Sequence, residues 1–252
     1  MLVATPILGW VWMLSFWYFG FVFLLPLLSS HKLREKYFVF FYQLVDVIWA
    51  DSFAKTRRAA LSVLDELESD DPELRKQGAL RVLEVGAGTG ANLKYIKRPL
   101  KYTNVDPNRE FEPVFQEELK KNPHIELERW VQCYGEDMSE LQEEHFDVVL
   151  LMYIFCTVND PLKLIREAKR VLVKGGRLIY LEVVAYPQGT WQRLLQELVT
   201  PIWKFLACNF HVNRECHEDF IKSAGFLNVT ANYVYLDMPV GINRHAYGAA
   251  VA

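Results

Sequence analysis

Leu80-Arg81-Val82-Leu83-Glu84-Val85-Gly86-Ala87-Gly88-Thr89-Gly90-Ala91-Asn92 is the stretch on which the fold turns. An apolar, β-branched run breaks into three closely spaced glycines, the pattern of a strand that delivers its carboxyl end into a loop. Glycines let such a loop approach a ligand and turn sharply into the N-terminus of a following helix. Gly86, Gly88 and Ala91 also satisfy the dinucleotide fingerprint G-x-G-x-x-A, so the loop by itself leaves a hydride-transfer enzyme open.

Outward from the loop, strand-like and helical patterns alternate. Residues 80–85, 102–106, 125–131, 146–152 and 177–184 read as strands, with helices expected over 91–96, 110–121 and 161–172. That order implies an α/β, Rossmann-like, doubly wound sheet with right-handed crossovers. Helices over 190–207 and 216–224 lead to two last strands, 227–236 and 246–252. A short connection between those two makes them antiparallel, giving seven strands with an antiparallel last one.

Three acids at successive strand ends weigh against a dinucleotide. Glu84 precedes the glycine loop, where a carboxylate would repel a pyrophosphate and attract the cationic end of a sulfonium. Asp106 ends the second strand, a place from which an acid accepts both ribose hydroxyls. Gly135-Glu136-Asp137 follows the third strand, a turn suited to adenine through the Glu136 carboxylate and the backbone of Asp137. Ligands of open α/β sheets bind at this edge.

Composition narrows the classes. The 252 residues carry 31 acidic and 28 basic side chains, a net charge of −3, so no basic face for nucleic acid is expected. Cys133, Cys156, Cys208 and Cys216 form no CxxC pair and no spacing with histidine suited to zinc, so no metal site is expected. His124, His145, His217 and His245 are scattered and read as surface residues.

No charged residue and no histidine occurs before His31. Residues 7–28 are almost wholly apolar and rich in Trp and Phe; as a helix they would be roughly 33 Å long, about a bilayer core. His31, Lys32, Arg34 and Lys36 follow at once and place that end on the cytosolic side. The sequence therefore divides into a membrane anchor over 1–30, a helical extension over 31–78 broken by a linker at Asp70-Asp71-Pro72, and an α/β domain over 79–252. A second apolar run, 37–48, is read as the first amphipathic helix of the soluble part.

The ordered motifs around residues 80–184, including Phe146-Asp147-Val148-Val149 and the stretch from Arg170 to Leu178, resemble the class I, type 11, methyltransferases that use S-adenosylmethionine. More narrowly, Leu83 to Asn92, Asp106-Pro107-Asn108, Gly135-Glu136-Asp137-Met138, Cys156-Thr157-Val158, Thr190-Trp191, His211 to Glu215 and Arg244 to Gly248 are similar to the membrane-associated thiol S-methyltransferases. The resemblance implies S-adenosylmethionine as cofactor, with contacts from Glu84, Gly86, Ala87, Gly88, Gly90, Asn92, Asp106, Pro107, Asn108, Glu136, Asp137 and Met152. It implies small lipophilic alkyl thiols as acceptors and a monotopic protein on the endoplasmic reticulum membrane and lipid droplets, its catalytic part facing the cytosol.

On the acceptor side His211, Tyr153 and Cys156 are the candidates, with Trp191 and Trp203 as pocket walls and Arg214 in a structural ion pair. A thiol of pKa about 8.5 costs only about 2 kcal/mol to ionise at neutral pH, against about 4 for a phenol or amine, so a thiol enzyme needs no conspicuous base. Two other readings share parts of the pattern: O- or C-methylation of a lipid such as a quinone, and a lipid-droplet or membrane scaffold with a vestigial cofactor site.

Overall fold

A computed structural model describes residues 30–252 apart from Cys208 and Cys216. The expected membrane anchor thus lies outside the described residues. Among the described residues, no helix is long and apolar enough to cross a membrane.

Seven strands form one mixed sheet: β1 (Leu80–Val85), β2 (Leu100–Val105), β3 (Ile125–Val131), β4 (Phe146–Met152), β5 (Leu172–Val183), β6 (Asn232–Tyr235) and β7 (Arg244–Val251). Their order is β3-β2-β1-β4-β5-β7-β6. The first five pair in parallel; β7 runs antiparallel to both β5 and β6. Among the described residues, seven α-helices accompany them: α1 (His31–Ile48), α2 (Ala50–Leu61), α3 (Pro72–Lys76), α4 (Glu112–Leu119), α5 (Pro161–Val171), α6 (Trp191–Leu206) and α7 (His217–Ser223).

β4 shows why the sheet is covered on both faces. Every residue of Phe146–Met152 is buried. Alternate side chains serve different cores: Val149 and Leu151 pack with α5 and Phe226, whereas Val148, Leu150 and Met152 pack with Ala60, Leu61 and Leu64. α5 opens on Asp160, whose side chain accepts from the Lys163 N–H, with Pro161 in its first turn. It buries Leu164, Ile165, Ala168 and Val171, a single stripe.

Several expected boundaries shift. Residues 91–96 make only a 3-10 turn, Leu93–Tyr95, because Leu93 must drop into the core and Pro99 sits just before β2. β5 begins earlier than expected, at Leu172, with its register shifting past Gly175-Gly176. The expected strand 227–236 reduces to an isolated bridge at Leu227 and the four residues of β6.

Asp70-Asp71-Pro72 is no loose linker. Asp71 caps α3 by accepting from the N–H groups of Glu73 and Leu74. The buried Asp147 on β4 accepts from Ser69 Oγ (2.7 Å) and from the N–H groups of Asp70 (2.8 Å) and Arg81 (2.8 Å). The segment before the sheet is fastened to it at that point.

Candidate active site

Where β1 ends, Gly86 takes φ +74°, and its N–H donates to the Val105 carbonyl at 2.7 Å. An L side chain is strained at that φ, and a Cβ there would also lie 2.7 Å from Ile154 Cδ1 and displace it, so the turn favours glycine. The loop is held from β2: Asn104 Oδ1 accepts from the Ala87 N–H (3.1 Å) and Asp106 Oδ2 from the Gly88 N–H (3.3 Å). Asp106 Oδ1 accepts from the Asn108 N–H at 2.9 Å. Asn108 in turn donates through Nδ2 to the Glu35 carbonyl, which ties the β2 end to α1. Burial pushes the Asp106 carboxyl up to about 7 against the lowering effect of those two backbone bonds.

These strand ends open into a cleft of about 910 Å³. Gly86, Ala87, Gly88, Asn92, Asp106, Pro107, Asn108, Glu136, Met152 and Tyr153 all stand on its walls. α1 closes the opposite side through Phe38, Tyr42 and Asp46, and α6 contributes Lys204 and Phe205. Glu136 is buried and its Oε1 accepts from the Asn159 N–H at 2.7 Å. Asn92 Nδ2 donates to Glu84 at 2.6 Å, while its buried Oδ1 has no hydrogen-bond partner.

A smaller cavity, about 70 Å³, adjoins the cleft and shares Tyr42, Asp46, Arg57 and Tyr153 with it. Its other walls are mostly apolar, among them Phe41, Phe53, Val183, Trp203, Phe210 and Ile242. Tyr153 has φ +65°, a costly conformation for an aromatic residue. It is fixed by its N–H to the Leu181 carbonyl (2.7 Å) and its hydroxyl to His245 Nδ1 (3.1 Å). Since His245 Nε2 lies 2.9 Å from the Ile242 carbonyl, that nitrogen carries the proton and Nδ1 accepts from the tyrosine. Burial lowers His245 to about 4 and raises the Tyr153 hydroxyl. The imidazole is therefore neutral near pH 7.

Other expected residues lie outside both cavity walls. Glu84 is buried beneath the loop, bonded to Asn92 and to the Tyr102 hydroxyl, and burial raises its carboxyl. Gly90 packs against Phe115. The Asp137 side chain is exposed and its N–H donates to the Tyr134 carbonyl. Cys156 is fully buried, its thiol on the Tyr153 carbonyl and its acidity suppressed by burial. His211 is half-buried, with Nε2 3.3 Å from Asn209 Oδ1 and a pKa lowered to about 4, first by burial and then by Arg214. Trp191 is 63% exposed and lines neither cavity, unlike Trp203. Arg214 donates to the Val158 carbonyl.

His245 is 0% exposed, which corrects its reading as a surface histidine. Its burial is a product of β7 pairing, invisible in a lone His within Arg-His-Ala-Tyr-Gly. Asp46 and Arg57 escaped the sequence reading too, although a signal existed. Phe53, Arg57, Ala60, Leu61 and Leu64 recur at helical spacing, which sets an arginine on an apolar stripe.

A sheet in this order, with its antiparallel β7 inserted between β5 and β6 and a glycine-loop cleft over the β1 and β2 ends, is that of a class I methyltransferase using S-adenosylmethionine. A family model for the methyltransferase domain matches residues 83–180. The rat (Rattus norvegicus) thiol S-methyltransferase TMT1B is 34% identical over 218 residues, 84% of this chain and 86% of that protein. Human (Homo sapiens) thiol S-methyltransferase TMT1A is 31% identical over 218 residues, covering 86% of each chain. A crystal structure of an S-adenosylmethionine-dependent methyltransferase from Thermotoga maritima superimposes with a TM-score of 0.58 at 19% identity, over 86% of this chain and 97% of that one. The chain belongs to the thiol S-methyltransferase family represented by these rat and human proteins.

Proposed function

We propose that the chain S-methylates small lipophilic thiols at a membrane surface, drawing the methyl group from S-adenosylmethionine bound in the large cleft. The observation that carries the reading is the small apolar cavity meeting that cleft at Tyr153.

The residues present fit the cofactor. Asp106, with Asn108 beside it, offers a buried carboxylate to the ribose hydroxyls, and Glu136 stands where the adenine would lie. The orphaned Asn92 Oδ1 is an acceptor for the ammonium of the methionine end. Glu84 acts through Asn92, orienting its amide from below. When bound, the cofactor supplies an electrophilic methyl group on a positively charged sulfur. The chain's own part is to hold the acceptor in line and keep water out, which supplies roughly 7–11 kcal/mol. Tyr153, fixed by His245, forms the wall between the two spaces and positions the acceptor. His211 and Cys156 shape the scaffold behind it.

The membrane part of the reading rests on exposed apolar faces. Leu194, Leu198, Ile202 and Phe205 lie along one side of α6 at 47–66% exposure, and Phe40, Leu44, Val47 and Ile48 are exposed on α1. α1 follows directly on the apolar N-terminal segment. We assign the protein to the endoplasmic reticulum membrane and lipid droplets, its cleft facing the cytosol. Fluorescent fusions carrying Leu198→Asp and Ile202→Asp lose lipid-droplet retention if that assignment holds; unchanged retention removes α6 from it.

The activity is tested by offering radiolabelled cofactor with a panel of alkyl and aryl thiols beside matched phenols and quinols. Transfer to the thiols is expected. Turnover confined to the phenols or quinols overturns the thiol reading and leaves the lipid O- or C-methyltransferase in its place. A wild-type protein without cofactor affinity leaves the scaffold.

A further inference from the structure

Arg57 is 6% exposed and, among the described residues, is the only cationic side chain on the walls of both cavities. One edge of its guanidinium is used: Nη2 donates to Asp46 Oδ1 at 2.9 Å. Asp46 is otherwise engaged by the Thr89 hydroxyl at 2.8 Å, so the carboxylate is anchored to the glycine loop. The buried Nε of Arg57 has no hydrogen-bond partner, so the guanidinium is not fully paired. The guanidinium lies over the Phe53 ring at 4.8 Å and near that of Tyr153 at 5.8 Å. A buried charged donor left unpaired is costly, and a guanidinium can bridge two anions through its fixed fork of N–H groups. Asp46 is one anion, and the cavity junction is where a second would sit.

We infer that Arg57 is the anchor for the acceptor and takes it as an anion: its incompletely paired guanidinium receives a thiolate at the junction of the two cavities, with the apolar body of the thiol lying against Phe53 and Trp203. This rests on the thiol reading above and deepens it. The apolar surroundings favour a sulfur anion over a carboxylate or phosphate, whose more concentrated charge loses more hydration on entering such a space. Phe53 and Trp203 both line the smaller cavity. They form the apolar side of the site, and Arg57 its charged end.

The test is calorimetric binding to the full chain saturated with S-adenosylhomocysteine, at a pH where benzenethiol is ionised. The probes are benzenethiol and toluene, its uncharged near-isostere. The wild type is expected to bind benzenethiol at least about tenfold more tightly than toluene. Arg57→Gln brings that ratio to within about twofold of unity and leaves the toluene affinity within about threefold of wild type. If Arg57→Gln does not fold, Asp46→Asn/Arg57→Gln removes the buried pair together and is expected to give the same collapsed ratio. A preference that persists in either folded variant overturns the proposal, as does a wild type with no preference for the thiol. A wild type that prefers benzenethiol through Arg57 yet transfers methyl to no thiol supports the anchor and refutes the proposed activity.

Discussion

Asp106→Asn separates the cost of burying a carboxylate from what that carboxylate does for a ligand. In the free protein burial holds its pKa near 7, against about 3.9 for an exposed aspartate. A carboxyl with a raised folded-state pKa contributes fully below its unfolded value and loses that contribution as pH rises from about 3.9 to about 7. The asparagine variant avoids this loss but cannot accept from both the Gly88 and Asn108 N–H groups, so the melting-temperature difference between the free variant and wild type should shift in the variant's favour between about pH 5 and pH 8. Cofactor affinity should move the other way. Hydrogen bonds to a charged acceptor contribute about 1.5–3 kcal/mol each, and two ribose hydroxyls reach one carboxylate. Because asparagine keeps one acceptor oxygen, a loss of about 2–4 kcal/mol is expected, or roughly 30- to 1,000-fold in Kd.

Only the ionised carboxylate accepts both hydroxyls, so wild-type affinity for S-adenosylhomocysteine should fall as pH drops below about 7, toward tenfold per unit. The asparagine variant should give a flatter profile. Calorimetry between about pH 5.5 and 8, beside melting curves of the free proteins, reads both effects. A wild-type affinity flat across that range, together with a variant within threefold of it, refutes the role given to Asp106.

Gly86→Ala should weaken cofactor binding, since alanine is strained at that left-handed φ and its Cβ displaces the end of Ile154; equilibrium dialysis with labelled cofactor checks it. Asp147→Asn loosens the bonds to Ser69, Asp70 and Arg81 and should cost about 2–4 kcal/mol in urea unfolding, with cofactor affinity nearly unchanged in the folded protein. Tyr153→Phe removes the hydroxyl bonded to His245; kcat/KM for thiols should fall about tenfold while S-adenosylhomocysteine affinity holds.

The parallel half of the sheet was legible where a mostly buried run meets a glycine or an acid, as β1 does at Gly86 and β2 at Asp106. β4 is the clearest case, every residue from Phe146 to Met152 being buried. The cleft walls followed for the same reason: Gly86, Asp106 and Glu136 stand at successive strand ends, where position along the chain already implies position in space. The helix expected over 91–96 failed because local propensity gave way to a tertiary demand, Leu93 turning into the core. The smaller cavity was not legible at all. It joins Phe41, Arg57, Tyr153, Trp203 and His245, residues far apart in sequence whose meeting depends on how α1, α2, α6 and β7 pack. Arg57 left a trace in the helical stripe it interrupts, and His245 left none.

The most direct test of the account is a crystal structure of the chain with S-adenosylhomocysteine and a small aryl thiol. The account predicts the ribose on the Asp106 carboxylate, the homocysteine end beside Asn92, and the thiol sulfur at Arg57 with its ring toward Phe53 and Trp203. A nucleoside bound away from Asp106, or a thiol seated outside the cavity shared by Tyr153 and Arg57, would contradict it.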